Sequence, residues 1–128
     1  MKYYIEKTTD YAFEEAIEKV TEELKKEGFG ILSRIDIHDK LKEKLNVDFK
    51  KYTILGACNP PYAYQALQQE DKIGTMLPCN VIVQELSDNK TEVAAVNPGA
   101  SMMAVDNSSL AGIADEIKEK LDRVIASL

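Results

Sequence analysis

Apolar residues recur along this chain with two different periods, and the switches between them mark out its secondary structure. Phe13, Ala16, Ile17, Val20 and Leu24 fall three and four apart, the spacing of one helix face. Glu15 with Lys19 and Glu22 with Lys26 sit four apart on the other side, where opposite charges steady an exposed helix. Thr8-Thr9-Asp10 offers side-chain oxygens to cap its start, and Gly28 follows Lys25-Lys26 as the residue past its end. The spacing predicts a helix over about residues 10–27, preceded by a short strand over 3–7. From Ile31 the period becomes two: Ile31, Ser33, Ile35 and Ile37 alternate with Leu32, Arg34, Asp36 and His38. That pattern predicts a strand with the isoleucines on one face.

Further along, 39–45 reads as a short helix with Leu41 and Leu45 on one side, and 52–58 as another strand. Asn59-Pro60-Pro61 suits a helix start, with Asn59 as cap and proline in the first turn, so 61–69 is predicted helical and 71–74 ends it. Segments 79–86 and 91–96 form a hairpin through Ser87-Asp88-Asn89-Lys90. Asn97-Pro98-Gly99 places proline and glycine as a type II turn requires. A closing helix over about 108–126 carries Leu110, Ile113, Ala114, Ile117, Leu121, Val124 and Ile125 on one stripe.

The resulting order predicts an α+β fold: a mostly antiparallel sheet of about five strands, with two long helices (about 10–27 and 108–126) packed on one face and short extra helices between strands. No linker or repeat interrupts the 128 residues, so 1–128 is expected to form a single domain. Hydrophobic residues at 45% and charged residues at 30% exclude a disordered or fibrous chain. Twenty-two acidic and 16 basic residues give a net charge of −6, and the lysines interleave with glutamates instead of forming a stripe. Neither nucleic acid nor an anionic membrane surface is therefore expected as a partner. No apolar run nears the roughly 20 residues of a membrane span, and the first seven residues lack the apolar core of a signal peptide. The expected location is cytoplasmic.

The chemistry-bearing residues gather at strand ends. Cys58 closes one strand where a helix begins, and a helix N-terminus favours the thiolate. Pro60 and Pro61 lack N–H donors, which weakens any anion cradle there, and most free cysteines are small buried hydrophobes. Cys79 opens a later strand and alternates with Val81 and Val83, as a core residue would. If the two strands are neighbours, the thiols come within reach of a disulfide or of a two-thiolate corner for a soft metal. Tyr62 and Tyr64 flank the proline turn, at a pocket mouth or a subunit interface. Met76, Met102 and Met103 suggest an adaptable apolar lining or core filler. His38, the chain's one histidine, falls on the polar side or at the end of its strand as a solvated residue, with Asp39 capping the next helix. The carboxylates line solvated helix faces, and no Gly-rich phosphate loop occurs.

Gly56-Ala57-Cys58-Asn59-Pro60-Pro61, then Ala63-Tyr64-Gln65-Ala66-Leu67, then Leu77-Pro78-Cys79-Asn80-Val81 resemble the domain-of-unknown-function 302 family of bacteria and archaea, and the resemblance runs essentially the whole chain. It implies a fold similar to the TATA-binding protein (strand, helix, four strands, helix) and a homodimer. The family carries no assigned activity. The matching positions that would carry a family site are Cys58, Asn59, Pro60, Tyr64, Pro78, Cys79 and Asn80. Taken together, these residues and Tyr62 predict a non-enzymatic, dimeric domain holding a small ligand or soft metal near the Cys58 and Cys79 strand ends, with no cofactor named by the sequence. The alternatives are a thiol enzyme using Cys58 with Cys79, and an interaction domain working through its edge strands and tyrosines.

Overall fold

The computed structural model describes residues 2–128. Five strands form one antiparallel sheet in the order β1-β5-β4-β3-β2: β1 Tyr4–Thr9, β2 Gly30–Asp36, β3 Tyr52–Cys58, β4 Cys79–Ser87 and β5 Lys90–Val96. The two long helices, α1 (Phe13–Lys26) and α5 (Ala111–Ala126), pack on one face of it, as the α+β reading requires. Three shorter helices, α2 (Ile37–Leu45), α3 (Pro60–Gln69) and α4 (Pro98–Ser101), and three 3-10 turns complete the described residues.

The core follows the two periods. Phe13, Ala16, Ile17, Val20 and Leu24 of α1 and Ile117, Leu121, Val124 and Ile125 of α5 are buried against Leu55, Ala57, Val81, Val83, Val93 and Ala95 of the sheet. The pairing Leu55 with Val81, Val81 with Ala95, and Val83 with Val93 places these residues on the helix side. The partners Ile54 with Ile82, Ile82 with Ala94, and Tyr4 with Val96 therefore face the other side, which no helix covers. Gly28 (φ +88°) closes α1: its N–H reaches the Lys25 carbonyl, and the Phe29 N–H reaches that of Leu24. That paired bonding needs a left-handed residue, and it turns Phe29 back into the core beside Leu24.

Several local expectations give way. β1 runs on through Thr9, whose hydroxyl donates to the Thr91 carbonyl, so Thr8-Thr9-Asp10 extends the sheet and α1 starts at Phe13 without a side-chain cap. β2 stops at Asp36, because the Asp36 carboxylate is held by the Thr53 hydroxyl (2.7 Å) and Arg34 (3.1 Å), and Ile37 and His38 open α2. The even alternation of β2 also fails. A bulge at Leu32 moves the register, so Ile31 lies opposite Ala57 on the helix side while Ser33 and Ile35 lie opposite Gly56 and Ile54 on the open side. Residues 71–76 form a further 3-10 turn where a stop was expected. Asn97-Pro98-Gly99 starts α4 and is no type II turn: the Asn97 side chain accepts from the Gly99 N–H, and Gly99 does not take the positive φ such a turn needs.

Candidate functional site

β3 and β4 are neighbours, and their ends meet where α3 and α5 converge. Between them lies an apolar cleft of about 350 Å³. Its floor is Ala57 and Cys79; α3 contributes Tyr62 and Ala66, and α5 contributes Ile113, Ala114 and Ile117. The 3-10 turn leads Leu77 and Pro78 in along a third side, while Leu32 and Leu67 are exposed at the mouth. No charged side chain lines it among the described residues.

The bulge in β2 and the prolines of α3 both serve this arrangement. Leu32, the residue added by the bulge, projects where a regular strand would have continued pairing. Pro60 and Pro61 occupy the first two positions of α3 and fix its entry angle directly after Cys58. Asn59 stands at the cap position of α3, yet its side chain makes no cap. Its Nδ2 donates to the Glu27 carbonyl at 3.0 Å, which ties the end of α1 to the start of α3. Gly28 leaves room for that amide: a Cβ there would come within 3.3 Å of Nδ2.

Cys58 and Cys79 are both half-buried free thiols in the cleft wall. In the register, Cys79 lies opposite Ala57, so Cys58 is one step past it, and both thiols border the same cleft. Burial first, and the nearby Cys58 second, push the Cys79 thiol up to about 11. At neutral pH it is a protonated, weakly nucleophilic thiol. Loss of water contact, then the Glu116 carboxylate, holds the Tyr62 phenol above its ordinary value, and Lys120 lies 5.8 Å from the centre of its ring.

Of the residues singled out in the sequence, Cys58, Asn59, Tyr62, Pro78 and Cys79 line the cleft, whereas Pro60, Tyr64 and Asn80 do not. Tyr64 is 65% exposed, and Asn80 belongs to the uncovered face of the sheet. Met102 lines the cleft, while Met76 and Met103 are exposed outside it. His38 is half-buried instead of solvated: its Nδ1 accepts from the Tyr52 N–H at 2.9 Å, and its ring meets Phe13 edge-on. Tyr52 begins β3 and Cys58 ends it, about 20 Å of extended strand apart, so no Cys–His dyad forms. The walls from α5 were hidden in the sequence because Ile113, Ala114 and Ile117 belong to the same stripe that packs the core. Among the described residues, no three His, Cys, Asp or Glu side chains are grouped to hold a metal ion. No helix is long and apolar enough to cross a membrane.

The fold and the cleft define a small α+β protein with a ligand-sized apolar recess at the end of an open antiparallel sheet. The chain belongs to the family described as domain of unknown function DUF302, whose model matches residues 5–128. It is similar to a crystal structure described as an uncharacterized conserved protein DUF302 from Bacillus stearothermophilus. The two share 28% identity, with a TM-score of 0.90 over 98% of each chain. No curated protein matches it.

Proposed function

We propose that the chain is a single-domain, non-enzymatic binding module that holds a small apolar ligand in the cleft between α3, α5 and the ends of β3 and β4. The observation that carries this reading is the cleft itself: about 350 Å³ with mostly apolar walls and no charged side chain among the described residues, in the range of small-molecule sites. A soft metal has two thiols to bind there, and among the described residues no His, Asp or Glu is grouped with them, so hydrocarbon is the better-matched occupant. Cys79 stays protonated at neutral pH, so a thiol enzyme would have to use Cys58 as its nucleophile. The net charge of −6 sets nucleic acid aside. Thermal unfolding against a metal and small-molecule panel, with native mass spectrometry of the purified chain, tests the reading. A specific ligand raises Tm with concentration; no shift from any apolar compound would overturn it.

A homodimer through the uncovered sheet face accompanies this reading. That face carries a shallow hollow of about 370 Å³ where Tyr4, Tyr52, Ile82 and Val96 lie beside Glu6, Asn80 and Glu92, a mostly apolar surface that a monomer leaves in water. Light scattering over a dilution series would find twice the chain mass, and a monomer at every concentration would remove this assignment.

A further inference from the structure

We infer that the cleft selects an uncharged ligand, mostly hydrocarbon and about fourteen non-hydrogen atoms in size, carrying one hydrogen-bond donor that the Asn59 Oδ1 accepts. This rests on the binding reading above and names the class of its ligand. The size follows from volume: an apolar cavity of about 150 Å³ holds benzene, so 350 Å³ has room for roughly twice as many atoms.

The charge preference follows from what the walls lack. An ionised head group drawn into an apolar recess loses its hydration and needs a counter-charge or several fixed donors in exchange. Among the described residues the lining supplies no Lys, Arg, Asp or Glu. Helix starts, the usual backbone source of anion-binding N–H groups, are depleted here. Pro60 and Pro61 remove two donors from the first turn of α3. At the start of α5, the N–H groups of Leu110 and Ala111 are taken by the carbonyls of Asn107 and Ser108. The protein's own excess of negative charge further opposes a carboxylate.

The uncharged polar groups of the lining are the two thiols, the Tyr62 phenol and the Asn59 amide, and Asn59 is the most buried of these residues. Asn59 is 7% exposed and lines the cleft, and its Nδ2 is committed to the Glu27 carbonyl. That bond fixes the amide's orientation, and Oδ1, to which no described residue donates, is an acceptor still open to solvent. A ligand that displaces water from Oδ1 must replace its donor, which a hydroxyl or N–H does and an ether or an alkane does not.

The test displaces the uncharged fluorescent probe N-phenyl-1-naphthylamine from the full chain with four compounds of one length: 1-decanol, methyl nonyl ether, decanoate and decylammonium. We expect decanol to displace it at least tenfold more tightly than either ion, because the ions lose hydration without a partner. Decanol should exceed the ether about fivefold, the share of one hydrogen bond. In an Asn59→Ala chain that retains its circular dichroism, the alcohol's advantage over the ether should vanish. Should Asn59→Ala not fold, the ether comparison on the unaltered chain decides the point alone. Failure of the probe and of all four compounds to bind overturns the binding reading. Binding in which decanoate or decylammonium matches decanol overturns the uncharged class while leaving that reading intact, and equal displacement by ether and alcohol overturns the role of Asn59.

Discussion

Replacing Gly56 with alanine should destabilise the protein by about 1–2 kcal/mol and weaken the cleft at the same time. Gly56 is in mid-strand without a positive φ, so space and not backbone conformation decides the cost. A Cβ at Gly56 would lie 2.4 Å from the Ser33 hydroxyl oxygen and 2.8 Å from Cγ of Pro78. The hydroxyl is the free end of a short side chain on an exposed residue and can rotate away. The proline ring cannot, because it is stiff and leads straight into β4 at Cys79. To restore ordinary carbon contact it must retreat by about 0.7 Å. Overpacking of this kind costs about 1–3 kcal/mol, and the loss of glycine's freedom in the unfolded chain returns about 0.4–1 kcal/mol of that. Urea denaturation measures the difference, and Tm should fall by about 4–8 °C for a chain of this size. Because Pro78 and Cys79 both line the cleft, the affinity of N-phenyl-1-naphthylamine should fall with it. Repeating the change in a Ser33→Ala background should recover no more than about 0.5 kcal/mol, the part owed to the hydroxyl. A Gly56→Ala protein as stable as the parent would refute the reasoning, for it would mean that Pro78 is free to move.

Ala63, half-buried in α3 and part of the cleft wall, can be enlarged to leucine. The added carbons should raise Tm by a few degrees, since each buried methylene contributes about 0.8 kcal/mol before side-chain ordering is subtracted. Probe affinity should fall tenfold or more, and a variant that binds as before would place the ligand elsewhere. Alkylation of Cys79, followed by peptide mass mapping, should rise about tenfold per pH unit from pH 7 towards its raised pKa of about 11. A plateau near pH 8.5 would show an ordinary exposed thiol. The Arg123 guanidinium, hydrogen-bonded to Glu27 at 2.8 Å, holds that carboxyl below its usual range. A lowered folded pKa contributes stability that is present above the unfolded value of about 4.3 and is lost as pH falls through the folded one. Urea midpoints at pH 6 and pH 3 should therefore drop further for the parent than for Glu27→Gln, and equal drops would deny the linkage.

What the sequence made legible was whatever one residue type in one place can dictate. The α1 stripe and Gly28 define the helix and its end together, since the left-handed turn that returns Phe29 to the core is a local event. The hairpin of β4 and β5 reads as clearly, with Asn89 taking the positive φ of its tight turn. Readings failed where a distant partner decided. Asn59 and Asn97 both look like residues of local turns, yet the Nδ2 of each donates to a carbonyl far away in sequence, Glu27 and Lys2 respectively. Leu32 looks like one step of an alternating strand, and only the pairing with β3 makes it the extra residue of a bulge. For the site the division is the same: Cys58, Pro78 and Cys79 mark strand ends that a sequence can locate, while the opposite wall comes from helix residues that look like any other core positions.

The cleft also occupies a seam between two packed regions, and the seam has a dynamic consequence. Phe29, Ala57 and Ile117 on its walls belong to the main core, whereas Ala66 and Leu110 belong to a smaller cluster with Ile73. Ile113 packs against both. The smaller cluster anchors α3 and the following 3-10 turn with few buried side chains, and elements held by little buried surface open before the whole protein unfolds. Amides in the second half of α3 should therefore exchange hydrogen through local opening, with a lower free energy and weaker denaturant dependence than those of β4 or α1. A ligand spanning the seam joins the two regions, so it should slow exchange in α3 more than in α1. If α3 and β4 exchanged with the same free energy, and the ligand slowed both alike, α3 would be an integral part of the main core. The ligand would then have to enter a rigid recess through the Leu32 and Leu67 mouth, with no movement of the wall.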